Sequence, residues 1–583
     1  MPDHQRARSR HIPGVAGPLR QLGLVRSRYG PGAAATKLEL LDAIPATRLR
    51  RPRDLIELHG HLLFLRAFPD DEAVRGAAGR ALTALAGRAR GLPARALAAL
   101  DDSGLAGSMS RHSFEAPIAR WLVARFGTAA EVDWRAVADS SGIDFLLGLV
   151  TARSEHEGLE SVHLATRSWL RRAKGAARRT DLEWLLGALE HHPATRRIWR
   201  ALYDEAGIPV AWRLGVRAGA ATDNELPQAV VRYRRRSLRR LPPDPRRLIA
   251  TPLPGIRLLK PKRAEAVIDV TRAALTARCR EVYAISYANP EEVYVADLGQ
   301  GTALALIGVL PERRLSLESN YGYLLLANGV PVGYAGVTPL YRQANTGINI
   351  FEPFRGSEAA FLCAQTLRAF RTLFGVRRFI VNPYQLGAGN REAIESAAFW
   401  FYYRLGFRPV AAGLAALASK EQRRVLRGAG YRTDPETLRR LAQADVELVL
   451  PGARHGDRFA EPWLTDLSLR ASEALARAAG GSRERDAALV AAQVARALGV
   501  RDLARWPVSE REAFVALAPL VSLLELGSLD PRARSRLVRV LRAKGARREA
   551  PYVRAAAADP HFLPGLMAVA RRSAGPRPGA LTT

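Results

Sequence analysis

The sequence predicts a multidomain protein, in which helical N-terminal and C-terminal regions flank a central mixed α/β sheet domain. The chain has 583 residues, which exceeds what a single hydrophobic core usually supports. Apolar residues recur at helical spacing up to about residue 216 and again after about residue 412, whereas the stretch between them alternates strand-like and helical segments. The predicted regions are a disordered tail at 1–36, a helical domain at 37–227, an Arg/Pro-rich linker at 228–261, the α/β domain at 262–412 and a helical C-terminal region at 413–583.

The N-terminal part is predicted to begin as disordered chain and to continue as helices. Gly, Pro and Arg dominate the first 35 residues or so, a composition that cannot bury enough apolar surface to order itself. Leu55, Leu58, Leu62 and Leu65 then fall three and four positions apart, as one face of a helix requires. A helical domain is therefore expected from about residue 37.

The segment 228–261 is rich in Arg and Pro, with runs at residues 234–236 and 239–240 and proline pairs beyond them. This composition is typical of a linker or of an arm that wraps a surface. A run of like charges is usually a solvated face, so solvent exposure is expected for these arginines. Nucleic-acid binding through Arg232 to Arg247 is the functional alternative, and it would weaken steeply with salt.

The formal net charge is +32, which suggests an acidic partner such as nucleic acid or an anionic cofactor. Most of the basic residues are Arg, and Ala and Gly are also abundant, which is the bacterial-type bias that a GC-rich coding sequence produces without any selection for binding. Basic residues interleaved with exposed aromatics, or a named nucleic-acid motif, are not found. Nucleic acid is therefore an unfavoured partner.

The location predicted from the sequence is the cytoplasm. No apolar run approaches the roughly 20 residues that a membrane span needs, and no secretion signal is recognised. The two cysteines, Cys279 and Cys363, provide no disulfide framework. His59 and His61, two positions apart, would point to different faces of a helix, so no metal site is expected.

Residues 262–412 change to a mixed α/β pattern. Asn328-Gly329 is the dipeptide best suited to a tight hairpin turn, because both residues accept positive φ. Gly375 is placed to end a helix. The predicted order is a helix at 263–280, strands at 293–295 and 304–307, two strands within 323–337, a strand at 348–351, a helix at 357–374, a strand at 379–381 and a helix at 390–405.

Two short motifs in this domain indicate chemistry. Residues 352–360 read EPFRGSEAA, a strand-to-helix turn whose helical amides would form an anion site. Residues 390–407 begin with an Asn and end FYYRLGF. With the element order, these motifs resemble the GNAT superfamily of acyl-CoA N-acyltransferases over residues 262–409, about a quarter of the chain.

The resemblance implies a cosubstrate, acetyl-CoA or another acyl-CoA, whose pyrophosphate lies on the turn, and no metal. Tyr402 aligns with the family tyrosine that protonates the departing thiolate, a role suited to a phenol that stays protonated. Glu352 is the candidate general base. The residues predicted to bind the cosubstrate are Arg355, Gly356, Ser357, Glu358, Ala359, Ala360 and Asn390.

Glu358 departs from the family pattern, which has a glycine at that position. Its carboxylate would repel a pyrophosphate unless it turns away or pairs with an Arg. We therefore expect Glu358→Gly to improve binding of coenzyme A. Two functions remain open: an acyl-CoA-dependent N-acyltransferase acting on an unknown small-molecule or protein amine, or a non-catalytic degenerate GNAT-like scaffold with helical modules that bind protein partners.

Overall fold

The computed structural model describes residues 17–44, 49, 51–160, 164–176, 178–215, 219–428 and 430–573. Over these residues the chain is mixed α/β, with one large mixed sheet in the middle and helices at both ends. The coarse fold class is therefore as predicted. No helix in the described ranges is both long enough and apolar enough to cross a membrane.

The N-terminal region is mainly helical, and its order begins earlier than expected. The first helix buries Leu19 and Leu22, so the predicted disordered tail is wrong from Gly17 onward, while residues 1–16 lie outside the described part. The helices are α1 Gly17–Val25, α2 Ala33–Ala43, α3 Pro52–Ala67, α4 Glu72–Arg90, α5 Ala94–Ala98, α6 Ala116–Phe126, α7 Ser141–Val150, α8 His156–Glu160, α9 Thr166–Lys174, α10 Asp181–His191 and α11 Trp199–Ala206.

The leucine stripe on α3 is confirmed, because all four predicted leucines of this helix are buried. A small antiparallel sheet that the sequence did not indicate also lies in this region. Its strands are β1 Met109–His112, β2 Ala130–Val132 and β3 Val210–Arg213, with β3 in the middle. Strands of three or four residues are too short to establish an alternating pattern that can be recognised in the sequence.

The central region contains most of the strands. Its elements are α12 Pro245–Ala250, β4 Arg257–Leu258, α13 Pro261–Thr276, α14 Tyr283–Ser286, β5 Ala288–Gly299, β6 Thr302–Val309, β7 Tyr321–Ala327, β8 Val330–Leu340, β9 Gln343–Thr346, β10 Asn349–Ile350, α15 Ala359–Phe374, β11 Arg378–Val381, α16 Pro383–Leu386, α17 Arg391–Glu395, α18 Ala398–Arg404, β12 Arg408–Pro409, α19 Ala412–Arg427, α20 Pro435–Leu441 and β13 Val446–Val449.

Ten strands form one sheet in the order β12-β13-β11-β9-β8-β7-β6-β5-β4, with β10 paired to β8. The turn between β7 and β8 is the predicted hairpin, with φ of 48° at Asn328 and 82° at Gly329. Strands β9 and β11 are parallel, and α15 lies in the connection between them. This crossover places the N-terminus of α15 next to the segment that follows β10.

The segment 228–261 was predicted to be a linker, but it contains α12 and contributes β4 to the large sheet, where β4 pairs with β5. Two further boundaries differ from the sequence prediction. Strand β13 pairs between β11 and β12, so the sheet recruits residues beyond 412 from the region predicted to be helical. The helix expected from Asn390 to Leu405 is two helices, α17 and α18, because Ala397 has φ of 52° and interrupts the helical backbone. Both differences depend on tertiary packing that local patterns do not encode.

The C-terminal region is helical and packs against the sheet domain, where α25 contacts α15 and β8. A buried ionic cluster joins the two: Arg314 donates to the carbonyls of Lys544 (2.8 Å) and Ala546 (2.6 Å), and Glu292 accepts from the amide of Glu549 at 2.7 and 2.8 Å. The helices are α21 Glu461–Ala478, α22 Arg483–Leu498, α23 Val508–Val521, α24 Pro531–Gly545, α25 Ala550–Ala558 and α26 Leu563–Ser573.

Removing Arg314 should loosen this junction. Its side chain is 2% exposed and lies beside the carboxylates of Glu292 and Glu549, which have 0% exposure. Arg314→Met leaves two buried carboxylates with only Lys544 as a cation, and should lower the free energy of unfolding by about 3–5 kcal/mol in urea denaturation. Arg313→Met is the matched control, because the side chain of Arg313 stacks over Tyr287 and is not part of the buried cluster, so this variant should lose at most about 1 kcal/mol. Equal losses for the two variants would contradict a role for the cluster in holding the regions together.

Candidate functional site

The predicted phosphate turn lies at the start of α15. A 3-10 turn at Glu352–Phe354 precedes it, and Gly356 adopts φ of +78° with open space where a Cβ would lie. The first hydrogen bond of the helix runs from the amide of Leu362 to the carbonyl of Glu358 (2.9 Å). The amides of Ala359 and Ala360 precede that bond, at the positively polarised end of the helix dipole.

Glu358 is buried in this turn, and both of its oxygens are paired with arginines. Arg234 donates to Oε2 from Nη2 at 3.0 Å and contacts Oε1 from Nη1, while Arg239 donates its backbone amide to Oε1 and Nη2 to Oε2, each at 2.7 Å. The side chains of Glu358 and Arg234 are 0% and 2% exposed. The second of the two conditions stated for Glu358, pairing with an Arg, is therefore met.

These arginines come from the Arg/Pro-rich segment, which forms an arm packed against the sheet domain. Arg234 stacks over Phe68, at 5.1 Å from the ring centroid. Arg239 lies 4.2 Å from the centroid of Phe361 on α15 and donates to the carbonyl of Leu298 at 2.6 Å. The expected solvent exposure of the run is wrong for Arg234, which is buried, while its neighbours Arg235, Arg236 and Arg240 are exposed.

The arm determines the ionisation of Glu358. Burial by itself would raise the pKa of the Glu358 carboxyl, but the hydrogen bonds from Arg234 and Arg239 outweigh it and lower the pKa to about 2. The carboxylate is therefore charged at neutral pH. With the two guanidinium groups the cluster carries a net charge of +1, so the exception stated for Glu358, in which its carboxylate pairs with an Arg, applies to this turn.

The other residues predicted to bind the cosubstrate are less buried than Glu358. Arg355 is 48% exposed and forms an ion pair with Glu392, and Arg280 lies 3.9 Å from the same carboxylate. Asn390 caps α17, because its side chain accepts from the amide of Ala393 at 3.1 Å. Ser357 donates its hydroxyl to the carbonyl of Phe354 at 2.6 Å. The ion pair with Glu392 therefore connects the turn to the helix that Asn390 begins.

Tyr402 lies on α18 and is buried, with 3% of its surface exposed. Its oxygen accepts from the amide of Ile348 at 3.1 Å, and no acceptor for its own proton is found among the described residues. Burial is the main cause that raises the pKa of Tyr402, and the electrostatic effect of the nearby Cys363 raises it further. The phenol therefore stays protonated at neutral pH. Tyr323 donates to the carbonyl of Gly347, so both tyrosines contact the loop after β9.

The N-terminal region covers one side of the turn. A Cβ on Gly60 of α3 would lie 3.4 Å from Pro353, and the rings of Phe68 and Phe354 meet edge to face at 6.4 Å. Glu352, the candidate base, stays exposed on the 3-10 turn. Neither α3 nor the arm was identified as part of the site from the sequence. The sequence offered one signal for the arm, which was electrostatic. If the carboxylate of Glu358 is buried, it requires a cation, and the arm is rich in Arg.

No group of three or more His, Cys, Asp or Glu side chains in the described part of the chain could hold a metal ion. No protein family, no curated protein and no solved structure matches this chain. The chemistry of the site therefore has to be argued from its own geometry. That geometry consists of the open turn at Gly356, the carboxylate of Glu358 paired with two arginines, and the protonated phenol of Tyr402.

Glu358→Gln should destabilise the protein strongly. The substitution leaves the buried guanidinium of Arg234 without its counter-charge, which typically costs about 3–5 kcal/mol. The expectation that Glu358→Gly improves binding of coenzyme A loses its basis, because the carboxylate that it removes is already paired with Arg234 and Arg239. Because folding lowers the pKa of Glu358 from 4.5 to about 2, its contribution is complete above pH 4.5 and is lost as the pH falls towards 2.

The measurement is urea denaturation of the wild type and of Glu358→Gln at several pH values. The difference in unfolding free energy should be largest above pH 4.5 and should shrink between pH 4.5 and 2. Glu352→Gln is the control, since Glu352 is exposed in the same segment and should change stability by about 0.5 kcal/mol at most. A difference that does not depend on pH would show that charge is not the reason.

Proposed function

We propose that the central sheet domain is an acyl-CoA-dependent N-acyltransferase that binds the pyrophosphate of its cosubstrate at the turn of residues 355–360. The observation that carries the proposal is the pairing of Glu358 with Arg234 and Arg239. It turns the one residue that conflicts with an anion site into part of a cluster with a net positive charge. Arg355 adds a half-exposed guanidinium beside it.

The turn offers a diphosphate the groups that recognise it. Exposed backbone at Gly356 lets an anion approach closely, because no side chain occupies the space above it. The amides of Ala359 and Ala360 and the dipole of α15 provide further attraction. Binding at this position would compete with Glu392 for Arg355, so the ion pair between these two residues is expected to open when the cosubstrate binds.

Tyr402 supports the chemical step. Collapse of the tetrahedral intermediate releases a thiolate, which needs a proton, and a buried phenol with a raised pKa keeps one available at neutral pH. The hydroxyl proton has no acceptor among the described residues, and the amide of Ile348 fixes the position of the oxygen. Glu352 would accept the proton of the amine, directly or through water, from its exposed position.

A second function, the non-catalytic scaffold, is favoured by a different observation. The loop after β9 hydrogen-bonds to both Tyr323 and Tyr402, and α3 covers the other side of the turn. If this loop keeps the space beside β9 closed, the acyl-pantetheine chain of the cosubstrate cannot reach Tyr402. The scaffold then uses the same fold only to hold its helical regions together.

Binding of coenzyme A should be measurable by calorimetry with acetyl-CoA and with longer acyl-CoAs. Arg355→Ala should weaken binding by about tenfold, because it removes one charge-assisted contact to phosphate. Arg391→Ala is the matched control, since Arg391 is 92% exposed and pairs only with Glu395. Absence of binding to the wild type would reject the acyltransferase and leave the scaffold.

Tyr402→Phe should separate catalysis from packing. The ring and its buried contacts remain, while the proton donor is lost, so kcat should fall by roughly 10²-fold or more with little change in KM. Tyr403→Phe is the control, because Tyr403 is the adjacent buried tyrosine and its hydroxyl donates to Gln422 instead. Turnover can be followed by thiol release from acyl-CoA with a panel of amines. An unchanged kcat in Tyr402→Phe would remove this residue from the mechanism.

A further inference from the structure

A groove of about 1530 Å³ lies between the α17–α18 segment and the α19–α20 segment. Its aromatic lining consists of Trp400, Tyr403 and Tyr431. Leu426 and Val425, near the end of α19, also line it and are 76% and 38% exposed. Such exposure of adjacent aliphatic side chains beside aromatic rings is typical of a surface that another molecule covers.

The polar ends of the aromatic side chains are held by hydrogen bonds. Trp400 donates Nε1 to the hydroxyl of Thr433 at 3.0 Å, Tyr403 donates to Gln422 at 3.3 Å, and Tyr431 donates to Glu421 at 2.8 Å. These bonds restrict the rings before anything binds. A ligand that packs on them therefore loses little side-chain entropy in the protein.

The charges of the groove are unbalanced. Arg404, Arg432 and Arg439 line it and are exposed, and none of them contacts a carboxylate in the described ranges. The two lining carboxylates are already engaged, Glu395 with Arg391 at 2.6 Å and Asp434 as the cap of α20. The groove therefore presents three free guanidinium groups next to an apolar floor.

We propose that this groove binds an acidic peptide segment, with apolar side chains, from a protein partner. The cavity exceeds the roughly 300–1,000 Å³ of small-molecule sites, so a peptide segment fits it better than a small molecule does. Carboxylates on the segment would pair with the three arginines, and its apolar side chains would cover Leu426 and the aromatic rings. This site does not use the turn at 355–360 or Tyr402, so it is independent of the proposed acyl transfer.

The occupant is expected to come from another molecule. Residues 1–16 carry Arg6, Arg8 and Arg10 against the single carboxylate of Asp3, so their charge does not match the groove. Residues 574–583 contain Arg577 and no acidic side chain. Neither residues 1–16 nor residues 574–583 therefore match the positive charge of the three arginines.

Fluorescence anisotropy of a labelled peptide tests the proposal with the full chain. The probe has Leu at helical spacing and Glu between the leucines, and the comparison probes are the same peptide with Lys for Glu and a single-stranded oligothymidylate of similar length. The Glu peptide should bind at micromolar concentration, at least about tenfold tighter than the Lys peptide. Arg439→Glu and Leu426→Asp should each weaken that binding by about tenfold or more.

Matched controls separate this groove from the general positive charge of the chain. Arg440→Glu changes the charge equally at the neighbouring position, which does not line the groove, and Leu469→Asp changes a leucine of α21 that is 59% exposed. Both should leave binding unchanged. Equal weakening by the control variants, or no binding of the Glu peptide, would overturn the proposal. Tighter binding of the oligothymidylate that is lost in Arg439→Glu would overturn it in favour of nucleic acid.

Discussion

The carboxylate of Glu358 and the guanidinium groups of Arg234 and Arg239 hold three distant parts of the chain in place. A buried charge is costly unless it is paired, and the partners of Glu358 lie on the arm. Burial of Glu358 therefore requires the arm to pass over the start of α15. Arg234 in turn stacks on Phe68 at the end of α3, which brings the N-terminal helices onto the same turn. The ionic cluster thus contributes to both the path of the arm and the docking of the N-terminal region, together with the contact of Phe68 with Phe354 and the hydrogen bond from Asn328 to the carbonyl of Ala67 at 2.9 Å.

A second buried ionic cluster joins the C-terminal helices to the sheet domain. There Glu292 and Arg314 from the sheet domain meet Lys544 and Glu549 from the C-terminal helices, and all four side chains are almost fully buried. Each helical region is therefore joined to the sheet through charges that cannot be separated without exposing or orphaning one of them. The three regions are expected to behave as one folding unit.

The arginines that produce the large net charge fall into two groups, one buried and paired with carboxylates and the other exposed. Some arginines are consumed inside the protein, as Arg234, Arg239 and Arg314 are, and their charge is compensated locally. Others, such as Arg432 and Arg439 in the groove, remain exposed, and no carboxylate contacts them in the described part of the chain. Composition alone cannot distinguish the two groups, because the difference lies in which carboxylate the fold brings close.

Local sequence patterns were sufficient to predict the elements that depend mainly on neighbouring residues. The hairpin at Asn328-Gly329, the buried face of α3 and the end of α15 at Gly375 all follow from local spacing and backbone preference. The motif at 352–360 was located correctly between a strand and a helix. Two contacts depend instead on how the whole chain packs: Glu358 pairs with arginines 119 and 124 positions away, and β13 enters the sheet between β11 and β12. Such contacts join distant residues, so no local pattern encodes them, and they form only when the whole chain packs.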